Sequence, residues 1–161
     1  MRREYINYPS DLPIKITYAK ITNYPIHWHN SIEILYVIKG SLNISIDTDS
    51  FTINEKEVEI INSDESHMLH SDTDTRVLIF NIDPYFFEKY YKDINNIFFY
   101  TNSNDNEDQS GDEYDELKTI LSQILCEYVQ KLEDYDEEIE EQLITLLYHL
   151  INNFHYLTHE K

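Results

Sequence analysis

Between Pro13 and Ile82 the apolar residues come in short runs separated by polar punctuation: "IKITYA", "SIEILYVI", "SLNISID", "SFTI", "EVEIIN", "SHMLHS" and "RVLIFNI". Leu42, Ile44 and Ile46 alternate with polar neighbours, the period of a half-buried strand, and Lys39-Gly40 and "DTDS" at 47–50 supply the turns. Seven such runs at even spacing predict a sandwich or small barrel. On extended backbone Glu33, Leu35 and Val37 share one face while Ile32, Ile34, Tyr36 and Ile38 take the other. Both faces are largely apolar, which predicts a strand covered on both sides.

After Pro84 the pattern changes. "PYFFEKYYKD" starts with proline and predicts a helix whose Phe86, Phe87, Tyr90 and Tyr91 serve as an apolar cap, and "NIFFYTN" predicts one more strand. "SNDNEDQSGDE" holds few core formers and reads as an acidic loop. Leu117, Ile120, Leu121, Ile124, Leu125, Tyr128, Val129 and Leu132 then recur at helical spacing, as do Ile139, Leu143, Leu146, Leu147, Leu150, Ile151 and Phe154. Acidic residues open each run, where the helix dipole favours them, and "EDYD" is short enough to make the pair an antiparallel hairpin. The expected divisions are an arm at 1–12, a barrel at 13–100, an acidic loop at 101–113 and a helical hairpin at 114–161.

Composition narrows the classes. A chain of 161 residues with 41% hydrophobic and 14% aromatic side chains suits one folded domain. No apolar run follows the N-terminal arginines and no stretch of about 18 apolar residues occurs, so neither a secretory signal nor a membrane helix is expected. One cysteine, Cys126, forbids an internal disulfide and suits the cytoplasm, and its neighbours Leu125 and Val129 predict a buried thiol. With 31 acidic against 12 basic residues the net charge is -19, which repels a phosphate backbone and argues against DNA binding by this chain alone. There is no nucleophile elbow or CxxC, and two glycines leave no phosphate cradle.

The candidate chemistry lies in "HWHNSIE". If that stretch is extended, His27, His29 and Glu33 fall on one face and offer two imidazoles and a carboxylate to one point, either a divalent-metal half-site or the polar end of a ligand pocket. Trp28 and Tyr36 could stack on a sugar or aromatic effector, or simply pack. His70 takes the face opposite His67, and His155 and His159, near the terminus, read as solvated.

From His27 to Gly40 the spacing His-x-His, three residues, Glu, six residues, Gly resembles the first cupin motif without its leading glycine, and His67 in "INSDESHMLH" takes the place of the second-motif histidine. Asn62 and Asp64 replace the proline and glycine usual there, and Lys56 replaces the opening glycine. "HWHNSIEILYVIKGSLNISI", "INEKEVEIINSDESHMLHS" and "VLIFNIDPYFF" together are similar to the N-terminal effector-sensing domain of AraC-type transcription regulators, over residues 13 to 160. That resemblance implies a mainly β fold with C-terminal helices: a cupin-type double-stranded β-helix barrel followed by an antiparallel α-helical hairpin. It implies a small-molecule effector, such as a sugar, with His27, His29, Glu33, Tyr36 and His67 as ligand-binding residues. A covering N-terminal arm is also implied, as are transcription regulation and DNA binding through a helix-turn-helix half absent from this chain. It further implies a homodimer, with Leu121, Ile124, Leu125, Tyr128, Leu147, Leu150 and Phe154 as interface residues, so glutamates at Leu121 and Ile124 should give a folded monomer.

Sensor domains of this type commonly carry no metal, so no cofactor is expected; if one binds, His27, His29, Glu33 and His67 would hold Zn, Fe, Mn or Ni. An enzyme is not expected. The alternatives are a stand-alone metal-dependent cupin oxygenase or isomerase and a non-catalytic small-molecule-binding cupin.

Overall fold

The computed structural model describes residues 1–103 and 108–157, with side chains as far as Phe154. Part of the expected acidic loop and the side chains of His155 and His159 lie outside the described residues. The chain divides into two compact units, Met1–Pro84 with Thr101–Asp108, and Tyr85–Tyr100 with Gln109–Lys161.

The first unit is built on two long strands, β2 (Ile14–Trp28) and β7 (His67–Ile82), antiparallel along most of their length. β1 (Arg2–Arg3) adds to the outer edge of β2 in parallel. β3 (Ile32–Lys39) pairs with the second half of β7 and with β6 (Val58–Ile61), while β4 (Ser41–Ile46) pairs with the first half of β7 and with β5 (Asp49–Asn54). Ile21, Leu35, Val37, Leu42, Ile44, Ile53, Ile61, Leu69, Val77 and Ile79 form one buried cluster. Side chains from β2 through β7 therefore meet in a single interior, so the sheet curls around its core.

Two runs expected as separate strands, "SHMLHS" and "RVLIFNI", are one strand, because β7 carries β4 on one half and β3 on the other. Conversely, His27 and Glu33 do not share a strand. β2 ends at Trp28 and β3 begins at Ile32. The corner is pinned by the Asp64 amide donating to the His29 carbonyl (2.8 Å) and by the Ser63 hydroxyl donating to the Asn30 carbonyl (2.5 Å). At Gly40, φ is +83°, and a Cβ would stand 2.6 Å from Thr75 Oγ1 and 2.8 Å from the Asp74 carbonyl, so this turn requires glycine.

The second unit holds the short helix α1 (Pro84–Glu88), strands β8 (Ile97–Phe99) and β9 (His155–Leu157), which pair with each other, and the helices α2 (Asp112–Gln130) and α3 (Tyr135–Asn153). The aromatic run continues as helix only to Glu88. The last two helices are the expected hairpin, and Asp112, Glu113 and Asp115 sit in the first turn of α2.

Here the interface expectation meets a correction. Leu121, Ile124, Leu147 and Leu150 are fully buried within the single chain and Phe154 is buried too, so these five have no surface left to lose on association. Leu125 and Tyr128 are half-buried, while Val129 is 68% exposed and Leu132 61%. Cys126 is also exposed, contrary to the expected buried thiol, because it lies off the apolar stripe of α2.

Candidate functional site

His27 is the last residue but one of β2, His29 lies in the corner after it, Glu33 is the second residue of β3, and His67 opens β7. The convergence expected from strand parity is achieved instead by three strand ends. His27 pairs in register with His67 across β2 and β7, and Glu33 pairs with Asn81 across β3 and β7. A register shift between Tyr24 and His27 re-aims the end of β2. The His27 and His67 rings are 4.2 Å apart, and His67 and His29 meet edge to face at 5.0 Å. His27, His29, Glu33 and His67 are all buried.

The outer nitrogens of the imidazoles are held from behind. His27 Nδ1 is 2.9 Å from the Pro25 carbonyl and His67 Nδ1 2.8 Å from the Glu65 carbonyl. A carbonyl only accepts, so both Nδ1 atoms carry hydrogen and the Nε2 atom of each ring is turned inward. His29 Nδ1 is 2.9 Å from Ser31 Oγ, and Asn81 Nδ2 donates both to Ser31 Oγ (3.0 Å) and to Glu33 Oε1 (2.8 Å).

Glu33 occupies the middle. Its Oε1 is 3.0 Å from His29 Nε2 and its Oε2 is 3.4 Å from His67 Nε2. Apart from these contacts with Glu33, neither buried Nε2 atom has a hydrogen-bond partner among the described residues. Burial acts to raise the Glu33 pKa, but His29 and His67 outweigh it and hold the carboxyl far below its ordinary range. Burial lowers the His29 pKa, and contact with Glu33 reverses that to a net rise. His27 is lowered, by burial first and by His67 second.

The donor set therefore fits a divalent cation: the ligand nitrogens of His27, His29 and His67 lie within 4.8 Å of one another, beside a carboxylate. Carbonyl acceptors behind Nδ1 are the usual outer support of metal-binding histidines. A cation or a proton between His67 Nε2 and the Glu33 carboxylate, 3.4 Å apart, would answer both groups.

Beside this cluster, within the first unit, is a cavity of about 250 Å³. Its lining includes His27 and Glu33 at the polar end, Tyr24 and Asn81, apolar Ala19, Ile21, Leu69 and Ile79, and Lys15. The N-terminal arm contributes Glu4 and Ile6. Glu4 is tied down by its amide, which donates to the Trp28 carbonyl (2.8 Å), and by its carboxylate, which accepts from the Tyr24 hydroxyl and lies 3.8 Å from His27 Nε2.

Tyr36, expected in the pocket, is half-buried on the face of β3 opposite Glu33 and does not line the cavity. Trp28 is not in the lining either; the Arg3 guanidinium lies over its ring at 4.9 Å. His70 is exposed and pairs with Asp72. Asn81, Ser31, Glu4 and Lys15 were not singled out from the sequence. Asn81 alone carried a signal, as a lone amide in the apolar run "VLIFNI". A second buried carboxyl, Glu59, lies outside the cavity lining and is pushed up to about 7, by burial first.

The model of the AraC-like ligand binding domain family matches residues 18–150. No curated protein matches the chain. Among solved structures, a protein from Neisseria meningitidis is 22% identical, covers 50% of this chain and 81% of its own, and gives a TM-score of 0.42. A cupin superfamily protein from Desulfitobacterium hafniense is 13% identical over 47% of this chain and 72% of its own, TM-score 0.43. A cupin-2 domain containing protein from Shewanella frigidimarina is 19% identical over 49% of this chain and 78% of its own, TM-score 0.40.

Proposed function

We infer that this chain, which belongs to the AraC-like ligand binding domain family, is the effector-sensing part of a transcription regulator. A small molecule enters the cavity of the first unit and is read by the cluster at its polar end. The observation that carries this reading is the buried His27, Glu33 and Asn81 opening onto a space with apolar walls, the usual composition of a small-molecule site. The arm supplies a means of response. Glu4 both lines the cavity and holds the arm to β2, so an occupant that displaces Glu4 from Tyr24 and His27 changes the arm's position. Such a ligand must bind the two arm states with different affinity to transmit anything.

DNA binding belongs, on this reading, to a helix-turn-helix half outside this chain, since a surface of net charge -19 is repelled by phosphates. The native product should exceed this chain by roughly 100 residues, room for a helix-turn-helix pair. Intact mass spectrometry of the protein from its source checks this, and a native mass of 19.4 kDa would remove the regulator reading. Association of two copies through the hairpin would rest on Leu125 and Tyr128 with the exposed Val129 and Leu132, not on the buried stripe.

A second reading is favoured by the unanswered Nε2 atoms: His27, His29, His67 and Glu33 hold a divalent metal, Zn, Fe, Mn or Ni. Bound there, a metal would act as a Lewis acid toward a ligand oxygen. The protein's own part is to orient the three imidazoles through the Pro25, Ser31 and Glu65 contacts and to keep Glu33 ionised.

A further inference from the structure

The charges lining the cavity are not equally answered. Glu33 is met by His29, His67 and Asn81, and Glu4 accepts from Tyr24 and lies beside His27. Lys15 has no such counterpart. It is half-buried, lines the cavity, and makes no ion pair or hydrogen bond through its side chain among the described residues. Lys20, exposed, is in the lining as well. A chain with only 12 basic residues against 31 acidic ones thus places two of the 12 at one small cavity, and among the described residues no carboxylate is committed to either.

The position of Lys15 is set by the sheet. It pairs in register with Asn81 on β7, which pairs in register with Glu33 on β3. Lys15, Asn81 and Glu33 therefore form one row across three strands on the inner face. Thr17, Ala19 and Ile21 follow Lys15 at alternate positions of β2 and line the same space, with Ile79 and Leu69 from β7. The cavity thus has an unanswered cation in the same row as its polar residues, an apolar wall, and acidic groups that are already paired.

We propose that the ligand of this cavity is a small organic carboxylate whose anionic head pairs with Lys15 and whose apolar body lies against Ala19, Ile21, Leu69 and Ile79. The volume, about 250 Å³, limits it to a molecule smaller than a drug-sized ligand. This proposal rests on the reading of the cavity as a ligand site.

The test is calorimetric titration of the whole chain at low ionic strength, where charge pairing is least screened. The probes are hexanoate, benzoate and phenylacetate, each against its neutral amide. At least one carboxylate should bind saturably, with its amide weaker by about tenfold or more, roughly the loss of one charge-assisted contact. Lys15→Met should weaken that carboxylate by about tenfold and leave its amide unchanged, while Lys15→Arg retains most of the affinity. Lys15→Gln serves as the neutral variant if circular dichroism shows Lys15→Met misfolded. Equal binding of acid and amide, unchanged binding by the neutral Lys15 variant, or no binding of any of the three acids overturns the proposal. Binding of the amides as tightly as the acids, abolished by Ala19→Phe, would overturn it while leaving the cavity a ligand site.

Discussion

Glutamates at both Leu121 and Ile124 should unfold the helical unit, not yield the folded monomer that an interface position would give. Both side chains are fully buried in the single chain, on the apolar stripe of α2. Each substitution removes a buried aliphatic group, worth about 2–5 kcal/mol in a core, and adds a carboxylate with no partner in the apolar stripe, which costs more. The sum is comparable with the whole stability of a typical domain, about 5–15 kcal/mol. Urea unfolding followed by circular dichroism should show lost helix, or a midpoint lowered to the edge of measurement. Val129→Glu with Leu132→Glu, both exposed, should change stability by about 1 kcal/mol or less. A folded double variant of Leu121 and Ile124 with its midpoint unchanged would mean that the stripe is not core.

Divalent metal is expected to have the second large effect. Apart from Glu33, two buried Nε2 atoms have no hydrogen-bond partner among the described residues, and the carbonyls behind His27 and His67 fix the tautomer a metal needs. Zn, Ni or Mn ions should therefore raise the melting temperature at neutral pH. At a thousandfold excess over Kd the gain is about 4 kcal/mol. His29→Ala and His67→Ala should each remove most of that gain, whereas His70→Ala, changing an exposed residue paired with Asp72, should leave it intact. No shift with any of these ions, or an equal shift in the wild type and His67→Ala, would end the metal reading and leave protons as the cations between imidazole and carboxylate.

The parts legible in the sequence are those governed by local periodicity. The strands β3 to β6, the hairpin, and His27, His29 and Glu33 as candidates follow from spacing within a single segment, whereas His67 was reached through the resemblance. What was illegible depends on how segments meet. His27 and Glu33 look like one strand face because the corner at His29–Ser31 contains neither glycine nor proline; its bend is held by Asp64 and Ser63, far away in sequence. Lys15 shows nothing unusual in "IKITYA", and its place in the cavity appears only once its register with Asn81 is known. Tyr36 and Cys126 show the converse. Tyr36 came into the pocket through the resemblance although strand parity already put it on the face opposite Glu33, where it lies, and Cys126 was placed in the core by its neighbours Leu125 and Val129 but is exposed. The stripes of the hairpin were read correctly as apolar, but periodicity alone does not say whether a stripe is buried within one chain or between two.

The claim that the cavity of the first unit receives the effector is tested most directly by filling it. Ala19 lines the space without belonging to the histidine cluster, so Ala19→Phe blocks the cavity and leaves His27, His29, Glu33 and His67 in place. Thermal denaturation of the wild type and Ala19→Phe would be compared across fractions of a small-molecule extract from the source cells. At least one fraction should stabilise the wild type, by about 2.7 kcal/mol where its active component reaches a hundredfold excess over Kd, and leave Ala19→Phe unshifted. Fractions that stabilise both proteins equally, or none that stabilises the wild type, would contradict ligand sensing in this cavity.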